Sequence, residues 1–164
     1  MKRVVIVRHA KAVPYGYEDD FNRDLLDRGK NDANRVSREC KNHGILPDIM
    51  ISSPATRALK TARIFAENLN VEKSQIIEKE DIYDGLTIHE FIEMIRNLPE
   101  DTGTAFFFGH NPGFFYFVSN LLNHYNQDMP TCAAVGIDFG VNHWKEVEAR
   151  SGKMSFRFTP KMLK

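Results

Sequence analysis

The amino-acid sequence predicts an α/β fold, a three-layer sandwich in which a mostly parallel β-sheet of about six strands lies between helices. Short apolar runs alternate along the chain with longer segments of helical periodicity, and this alternation favours parallel strands joined by helical crossovers. The 164 residues contain no internal repeat and no long linker, so we expect a single domain over residues 1–164 with a sizeable core.

The individual elements follow from local patterns. Apolar residues at spacings of four and three, from Ala55 to Leu69, form a core-facing helical stripe. The preceding helix ends at His43-Gly44, where glycine suits a left-handed C-cap. No helical segment separates the last two strands, so an antiparallel edge is possible there. The predicted strands cover residues 3–8, 48–52, 75–78, 104–109, 133–139 and 154–158, and the predicted helices cover residues 28–43, 54–69, 88–97 and 112–125.

Composition narrows the function classes. Lys plus Arg and Asp plus Glu both number 22, so no bulk charge favours a nucleic acid or a membrane surface as partner. Cys40 and Cys132 are far apart and match no metal-ligand spacing, which suits a reduced cytosol. No segment has the length of a membrane span or the pattern of a signal peptide. We therefore expect a soluble cytoplasmic protein without metal or cofactor; its oligomeric state is unreadable from the sequence.

The first strand carries a chemically informative pair at its end. Arg8 and His9 follow the run Val4–Val7 directly. Ligands of open α/β sheets bind at the carboxyl ends of the strands. The planar guanidinium of Arg8 fits phosphate oxygens, and a neutral His9 is a nucleophile near pH 7. Taken alone, a surface arginine and a core histidine would explain this pair.

A second strand end repeats the pattern. The buried run Asp48–Ile51 is followed by Ser53-Pro54, a helix start with Ser as N-cap and Pro at the first helical position. Arg57 then falls in the first turn of the helix, close to the same edge of the sheet. A helix N-terminus carries free N–H groups and partial positive charge, so it favours anions.

A third strand end has the same character. The aromatic strand 106–108 ends at Gly109, His110 stands at its tip, and Asn111-Pro112 repeats the cap-plus-proline helix start. Three strand ends with cationic or imidazole side chains favour one phosphate site over three unrelated structural roles. By contrast, Glu90 belongs to the pattern Thr87-Ile88-His89-Glu90, which predicts a capping box rather than catalysis.

These motifs resemble those of a known family. Arg8-His9-Ala10, residues 53–58 and residues 109–113 are similar to the motif series of the histidine phosphatase (phosphoglycerate-mutase-like) superfamily. Ala10 and the short chain look most like its phosphohistidine phosphatase (SixA-type) branch. The run 23–29 resembles the family's Arg-x-Leu-x-x-x-Gly pattern, and residues 159–161 resemble the end of that branch. The resemblance implies this fold without a large lid.

The resemblance also implies a mechanism. His9 would be the nucleophile that forms a phosphohistidine intermediate, and Arg8, Arg57 and His110 would hold the phosphoryl group, with Asn111 as a further phosphate contact. Residues 13–22 and 79–87 are expected to select the substrate. The partner would be a phosphorylated protein or a small phosphate ester.

The general acid is the open point of this mechanism. An alkoxide leaving group needs a proton, and Glu80, Asp81 and Asp84 are available, with Asp84 as the possible acid. A phosphohistidine substrate relaxes this need, because imidazole leaves with little acid assistance. The leading interpretation is therefore a phosphohistidine phosphatase acting on a protein. The alternatives are a phosphomonoesterase for sugar or nucleotide phosphates, and a phosphate-binding module with little turnover.

Overall fold

The computed structural model describes residues 1–14, 16 and 19–164; Tyr15, Tyr17 and Glu18 of the expected substrate loop lie outside the described residues. Strands and helices alternate along the described chain, as predicted. The strands are β1 (Lys2–Arg8), β2 (Ile49–Ser52), β3 (Ile77–Glu78), β4 (Thr104–Gly109), β5 (Ala134–Phe139) and β6 (Lys153–Phe158). The α-helices are α1 (Asp27–Asn42), α2 (Thr56–Asn68), α3 (Glu80–Asp84), α4 (Ile88–Arg96) and α5 (Gly113–Leu121).

One mixed sheet organises the molecule. Its strand order is β3-β2-β4-β1-β5-β6, with β3, β2, β4 and β1 parallel to one another. β5 is antiparallel to β1 and β6 is antiparallel to β5, which confirms the antiparallel edge. Arg8 pairs with Gly109, and Ser52 pairs with Phe108. The carboxyl ends of β1, β2 and β4 therefore meet at one edge of the sheet.

The sheet separates two hydrophobic cores, which confirms the three-layer sandwich. On β1, alternate side chains point to opposite faces, as the pleat requires. Val4 and Ile6 pack into the core under α4 and α5, whereas Val5 and Val7 pack into the core under α1 and α2. All four are fully buried, and burial of such a side chain contributes about 1.5–3 kcal/mol. β1 is thus held rigidly from both faces, and so is the strand end that carries Arg8 and His9.

Two predicted helix starts are displaced. α2 begins at Thr56 rather than at Pro54, because Ser53 does not cap it: its hydroxyl accepts from the Ala55 N–H (3.2 Å) and lies 2.7 Å from a His110 ring nitrogen. α5 begins at Gly113, and the Asn111 side chain binds elsewhere instead of capping it. The Ser53 hydroxyl thus combines a local bond with a tertiary contact before α2 begins, and the Asn111 amide makes a tertiary contact in place of a cap.

Other helix boundaries follow from their capping groups. The predicted capping box is present in α4, where Thr87 and Glu90 exchange backbone and side-chain hydrogen bonds of 2.9 and 3.1 Å. Gly44 follows α1 with φ of +69°, the left-handed conformation expected of a C-cap. α3 is an additional helix, in the segment that we expected to be a loop. None of the helices in the described chain has the length and apolarity to cross a membrane.

Candidate active site

His9 lies directly after β1 with its imidazole buried. Its Nδ1 is 2.7 Å from the carbonyl oxygen of Ala10. Because a carbonyl only accepts hydrogen bonds, Nδ1 carries the hydrogen and Nε2 keeps its lone pair. Burial, reinforced by the positive charges of Arg57 and Arg8, lowers the pKa of His9 to about 4. His9 is therefore neutral at pH 7, and burial rather than the cations alone is the main cause.

His110 follows β4 and faces His9. The two ring centroids are 5.5 Å apart, and His110 Nε2 lies 2.7 Å from the hydroxyl of Ser53. Burial, followed by the charge of Arg57, lowers the pKa of His110 to about 3. Its other ring nitrogen, Nδ1, is buried and has no hydrogen-bond partner among the described residues. His110 is thus a neutral ring with one polar atom unused.

Arg57 and Arg8 bring two guanidinium groups to the same edge. Arg57, in the first turn of α2, is only 5% exposed and donates through Nη1 to the backbone carbonyl of Asp20 (2.6 Å). Arg8 is half-buried and donates through Nη1 to the carbonyl of Met129 (3.1 Å). The Nε atoms of both arginines are buried without a partner in the described chain. We refer to Arg8, His9, Arg57 and His110 together as the His9 pocket.

The unpartnered atoms of this pocket indicate what it binds. Buried polar atoms in proteins nearly always have a hydrogen-bond partner, and the exceptions call for an explanation. In the described part of the chain five buried side-chain polar atoms lack one, and four belong to residues that the sequence predicts for the site. These four are Arg8 Nε, Arg57 Nε, His110 Nδ1 and Asn111 Oδ1. Two of them are guanidinium donors, so the pocket suits an anion that accepts several hydrogen bonds.

Asp20 is a component of the site that the sequence did not single out. Its carboxylate accepts from Arg57 Nη2 (3.1 Å), from Arg23 Nε (3.1 Å) and from the hydroxyl of Tyr83 (2.9 Å). Partial burial raises the pKa of Asp20, but the hydrogen bond from Tyr83 and the charges of Arg57 and Arg23 bring its pKa below the usual value. Asp20 therefore stays ionised at neutral pH and fixes the orientation of Arg57.

The loop after the nucleophile is fixed by contacts with residues 23–29, which lead into α1 and form its start. Arg23 donates through Nη1 to the carbonyl of Val13 (3.0 Å), and Leu26 N–H donates to the carbonyl of Lys11 (3.0 Å). A Cβ on Gly29 would overlap that Lys11 carbonyl oxygen, so only glycine allows α1 to approach this closely. These contacts give the Arg-x-Leu-x-x-x-Gly run a physical role, which is to hold residues 11–13 beside His9.

Asn111 and the acidic residues of α3 differ from the other predicted site residues. The Asn111 amide donates one of its two N–H groups to the carbonyl of Met129 (3.0 Å), the same oxygen that binds Arg8, which leaves its second N–H for a phosphate contact. Glu80, Asp81 and Asp84 are exposed, and the Asp84 carboxylate forms no hydrogen bond or ion pair among the described residues. The α3 side chain that contacts the pocket is Tyr83, whose ring meets His110 edge-on at 5.7 Å.

The thiols and carboxylates form no metal centre in the described chain. No group of three or more His, Cys, Asp or Glu side chains comes together there. Cys40 and Cys132 are both buried and free of disulfide. Burial raises the pKa of Cys40 to about 12 and raises that of Cys132 well above its usual value, so both thiols remain protonated. Protonated thiols neither ligate metals nor attack electrophiles.

Known proteins are similar to this chain in sequence and in fold. An uncharacterised chloroplastic protein of Arabidopsis thaliana is 27% identical over 162 residues, covering 92% of this chain and 72% of that protein. The structure of the protein histidine phosphatase SixA complexed with tungstate superposes with a TM-score of 0.84 at 19% identity, covering 99% of both chains. A phosphoserine phosphatase of Entamoeba histolytica superposes with a TM-score of 0.66 at 15% identity, covering 96% of each.

The solved structures show the fold of this chain, and the family match shows its superfamily. Because the SixA chain and this one match from end to end, neither carries an inserted lid relative to the other. Residues 4–108 match the histidine phosphatase superfamily (branch 1), a range that includes Arg8, His9 and Arg57 and ends two residues before His110. The chain therefore belongs to the histidine phosphatase superfamily and is a phosphatase of the histidine-dependent type.

Proposed function

We propose that this phosphatase hydrolyses phosphohistidine on a protein, by way of a phosphohistidine intermediate on His9. The observation that carries the proposal is the neutral, buried His9, with a free Nε2 lone pair beside guanidinium donors that have no partner among the described residues. A neutral imidazole attacks phosphorus, and donors aimed at the phosphoryl oxygens stabilise the charge that develops on them.

Hydrolysis takes place in two chemical steps. Nε2 of His9 forms a bond to phosphorus in line with the substrate N–P bond, which breaks and leaves the electron pair on the substrate imidazole. Water then attacks the phosphorus of the intermediate, and the N–P bond to His9 breaks. Inorganic phosphate leaves, and His9 returns to its neutral form. Arg8, Arg57 and His110 contact the three equatorial oxygens in both steps.

The acid–base properties of the pocket favour an N–P substrate. An ester would release an alkoxide, which needs a general acid, whereas an imidazole already protonated on its second nitrogen leaves as a neutral ring. Asp20 is the carboxylate bound to Arg57, and its lowered pKa keeps it ionised and unable to donate a proton at pH 7. Asp84 remains the residue proposed to serve as acid should the substrate be an ester.

A second candidate is a small-molecule phosphomonoesterase. Its support is the shared fold of the Entamoeba histolytica phosphoserine phosphatase, described in complex with 3-phosphoglyceric acid. That candidate requires a proton donor near the leaving group, and Asp84 at the end of α3 is the proposed one. The third alternative, a binding module with little turnover, would require a damaged motif set, yet Arg8, His9, Arg57 and His110 are all present.

The test is phosphate release from a phosphohistidine-bearing protein and from a panel of sugar, nucleotide and amino-acid phosphate esters, without added metal. We expect fast release from phosphohistidine and slow release from the esters, with His9→Ala as the inactive control. The reverse order would make the protein a phosphomonoesterase. Release from neither substrate by the wild type would favour a binding module.

A further inference from the structure

A basic trough lies beside the His9 pocket, between α1, residues 127–131 and the turn Pro160–Leu163. It has a volume of about 930 Å³. The chain as a whole has zero formal net charge, whereas the lining of this trough has an excess of cationic side chains. Six cationic side chains line the trough against two carboxylates: Lys11, Arg28, Arg35, Arg157, Lys161 and Lys164 against Asp32 and Asp128.

The two carboxylates of the trough are already paired. Asp32 lies 3.7 Å from Arg35, and Asp128 lies 2.7 Å from Arg157. In the described chain, Arg28 and Lys161 form no ion pair, and both are exposed. Arg157 also has a buried Nε without a hydrogen-bond partner. The trough therefore keeps an unneutralised positive charge that faces solvent.

Residues that line the trough are chain neighbours of residues that form or contact the His9 pocket. The Met129 carbonyl accepts hydrogen bonds from Arg8 and Asn111, and the residues on either side of Met129 line the trough. On the other wall, Lys11 lies two residues after His9. A protein that brings a side chain to His9 thus covers the trough with the surface around that side chain.

We propose that the basic trough is the docking surface for the acidic face of the phosphoprotein substrate. The inference rests on the proposed function and adds how the substrate is chosen. A phosphoryl group is satisfied within the His9 pocket, so it does not need a trough of this size. Exposed lysine and arginine heads attract carboxylates over a distance of about 8–10 Å in physiological salt and thereby increase the association rate.

The lining favours an acidic protein over a nucleic acid. Proteins that hold single strands stack bases on aromatic side chains, and none of the described residues that line the trough is aromatic. The Asp128 side chain is 83% exposed at the rim, where it would repel a phosphate backbone. An acidic protein face has separated carboxylates that can avoid Asp128 and still pair with Arg28 and Lys161.

The experiment compares two substrates on the full chain: free phosphohistidine, and a phosphorylated histidine phosphotransfer domain with an acidic surface. The test variant is Arg28→Glu with Lys161→Glu, which leaves the His9 pocket untouched. The matched control is Lys145→Glu with Lys153→Glu, two exposed lysines outside the trough lining. Thermal unfolding of each variant confirms that it is folded, and kcat and KM are measured at low and high salt.

We expect the test variant to lose about tenfold or more in kcat/KM on the acidic phosphoprotein, through KM, and to lose the salt dependence. Free phosphohistidine should be hydrolysed as by the wild type, and the control should match the wild type on both substrates. The proposed docking surface would be overturned by equal losses on both substrates, by an equal loss in the control variant, or by no loss at all. It would also be overturned if the wild type bound single-stranded RNA and the test substitutions abolished that binding. Wild-type protein inactive on both substrates would instead overturn the proposed function.

Discussion

The His9 pocket and the basic trough both collect positive charge, but the pocket buries it and the trough leaves it in solvent. The Arg57 side chain in the pocket is 6% exposed, whereas the Arg35 side chain in the trough is 40% exposed. In the pocket, buried donor atoms have no partner among the described residues. In the trough, both carboxylates of the lining are paired, and Arg157 is the mostly buried cation, with its side chain 13% exposed. Burial therefore separates two roles for the same residue type, a strong short-range contact and a screened long-range attraction.

The largest expected effect is that of His9→Ala. This substitution removes the attacking nitrogen, so we expect turnover to be lost on every substrate and no phosphoenzyme to form. Rapid quenching with labelled substrate, followed by detection of protein-bound phosphate, measures the intermediate directly. His89→Ala, an exposed histidine on α4, is the matched control and should retain activity. Wild-type activity in His9→Ala would contradict the mechanism.

The second largest loss of activity is expected for Arg57→Ala. Removing a buried guanidinium donor from the developing phosphoryl charge should cost on the order of 3 kcal/mol of transition-state stabilisation, about a hundredfold in kcat/KM. The matched change in the trough, Arg35→Ala, removes an exposed ion pair worth about 0–1 kcal/mol. Steady-state kinetics on free phosphohistidine compare the two variants. Similar losses of kcat/KM in both variants would contradict the difference proposed between the pocket and the trough.

The pH dependence of stability is a third way to test the burial of the pocket. The pKa of His9 is about 4 and that of His110 about 3 in the folded chain, against an ordinary value of 6.5. The unfolded chain therefore takes up protons first as the pH falls below 6.5, and the folded state loses stability down to about pH 4 through His9 and down to about pH 3 through His110. Above pH 6.5 this contribution is fully present and constant. The loss amounts to about 1.4 kcal/mol per pH unit for each fully responding histidine.

Urea unfolding at pH 7 and pH 5 measures this effect. The His9→Asn, His110→Asn double variant lacks both titrating groups, so its stability should fall less between these two pH values than that of the wild type. Titration of surface carboxylates is common to both proteins and cancels in the comparison. An equal fall in wild type and double variant would mean that the two rings are not protected from protonation in the folded state.

Asp84→Asn should have the smallest effect on phosphohistidine hydrolysis, within about 0.5 kcal/mol, because an imidazole leaving group does not need this acid. Asp81→Asn, on the same exposed helix, is the control. Parallel rates on phosphate esters complete the measurement. A large loss on esters with little change on phosphohistidine would identify Asp84 as the ester acid, and a large loss on phosphohistidine would contradict the N–P interpretation.

Local patterns in the sequence were sufficient for most of the framework. The apolar run of β1, the capping box at Thr87 and Glu90 and the glycine after α1 are each defined by neighbours within a few residues. Predictions failed where a tertiary partner replaced a local one. Ser53 contacts His110, which is 57 positions away, so the N-cap predicted from Ser53-Pro54 is not formed.

Asp20 shows the limit of such patterns most clearly. Its spacing from Arg23 suggests a local ion pair, but no local signal links it to Arg57, 37 positions away, or to Tyr83, 63 positions away. The contact of Arg8 and Asn111 with the Met129 carbonyl could not be predicted either, because a backbone oxygen has no sequence signature. Contacts of this kind depend on how residues 19–23 and 127–131 pack against the sheet edge.

The amino-acid sequence is sufficient to predict the α/β alternation, the three strand ends that meet at one edge, and the residue types Arg8, His9, Arg57 and His110 at those ends. Their chemical state depends on the packed structure: His9 and His110 are neutral, Nε2 of His9 is the free nitrogen, and donors of Arg8 and Arg57 have no partner among the described residues. The physical reason is that residue type and strand position are local properties, whereas burial and hydrogen-bond pairing arise only when distant segments pack together.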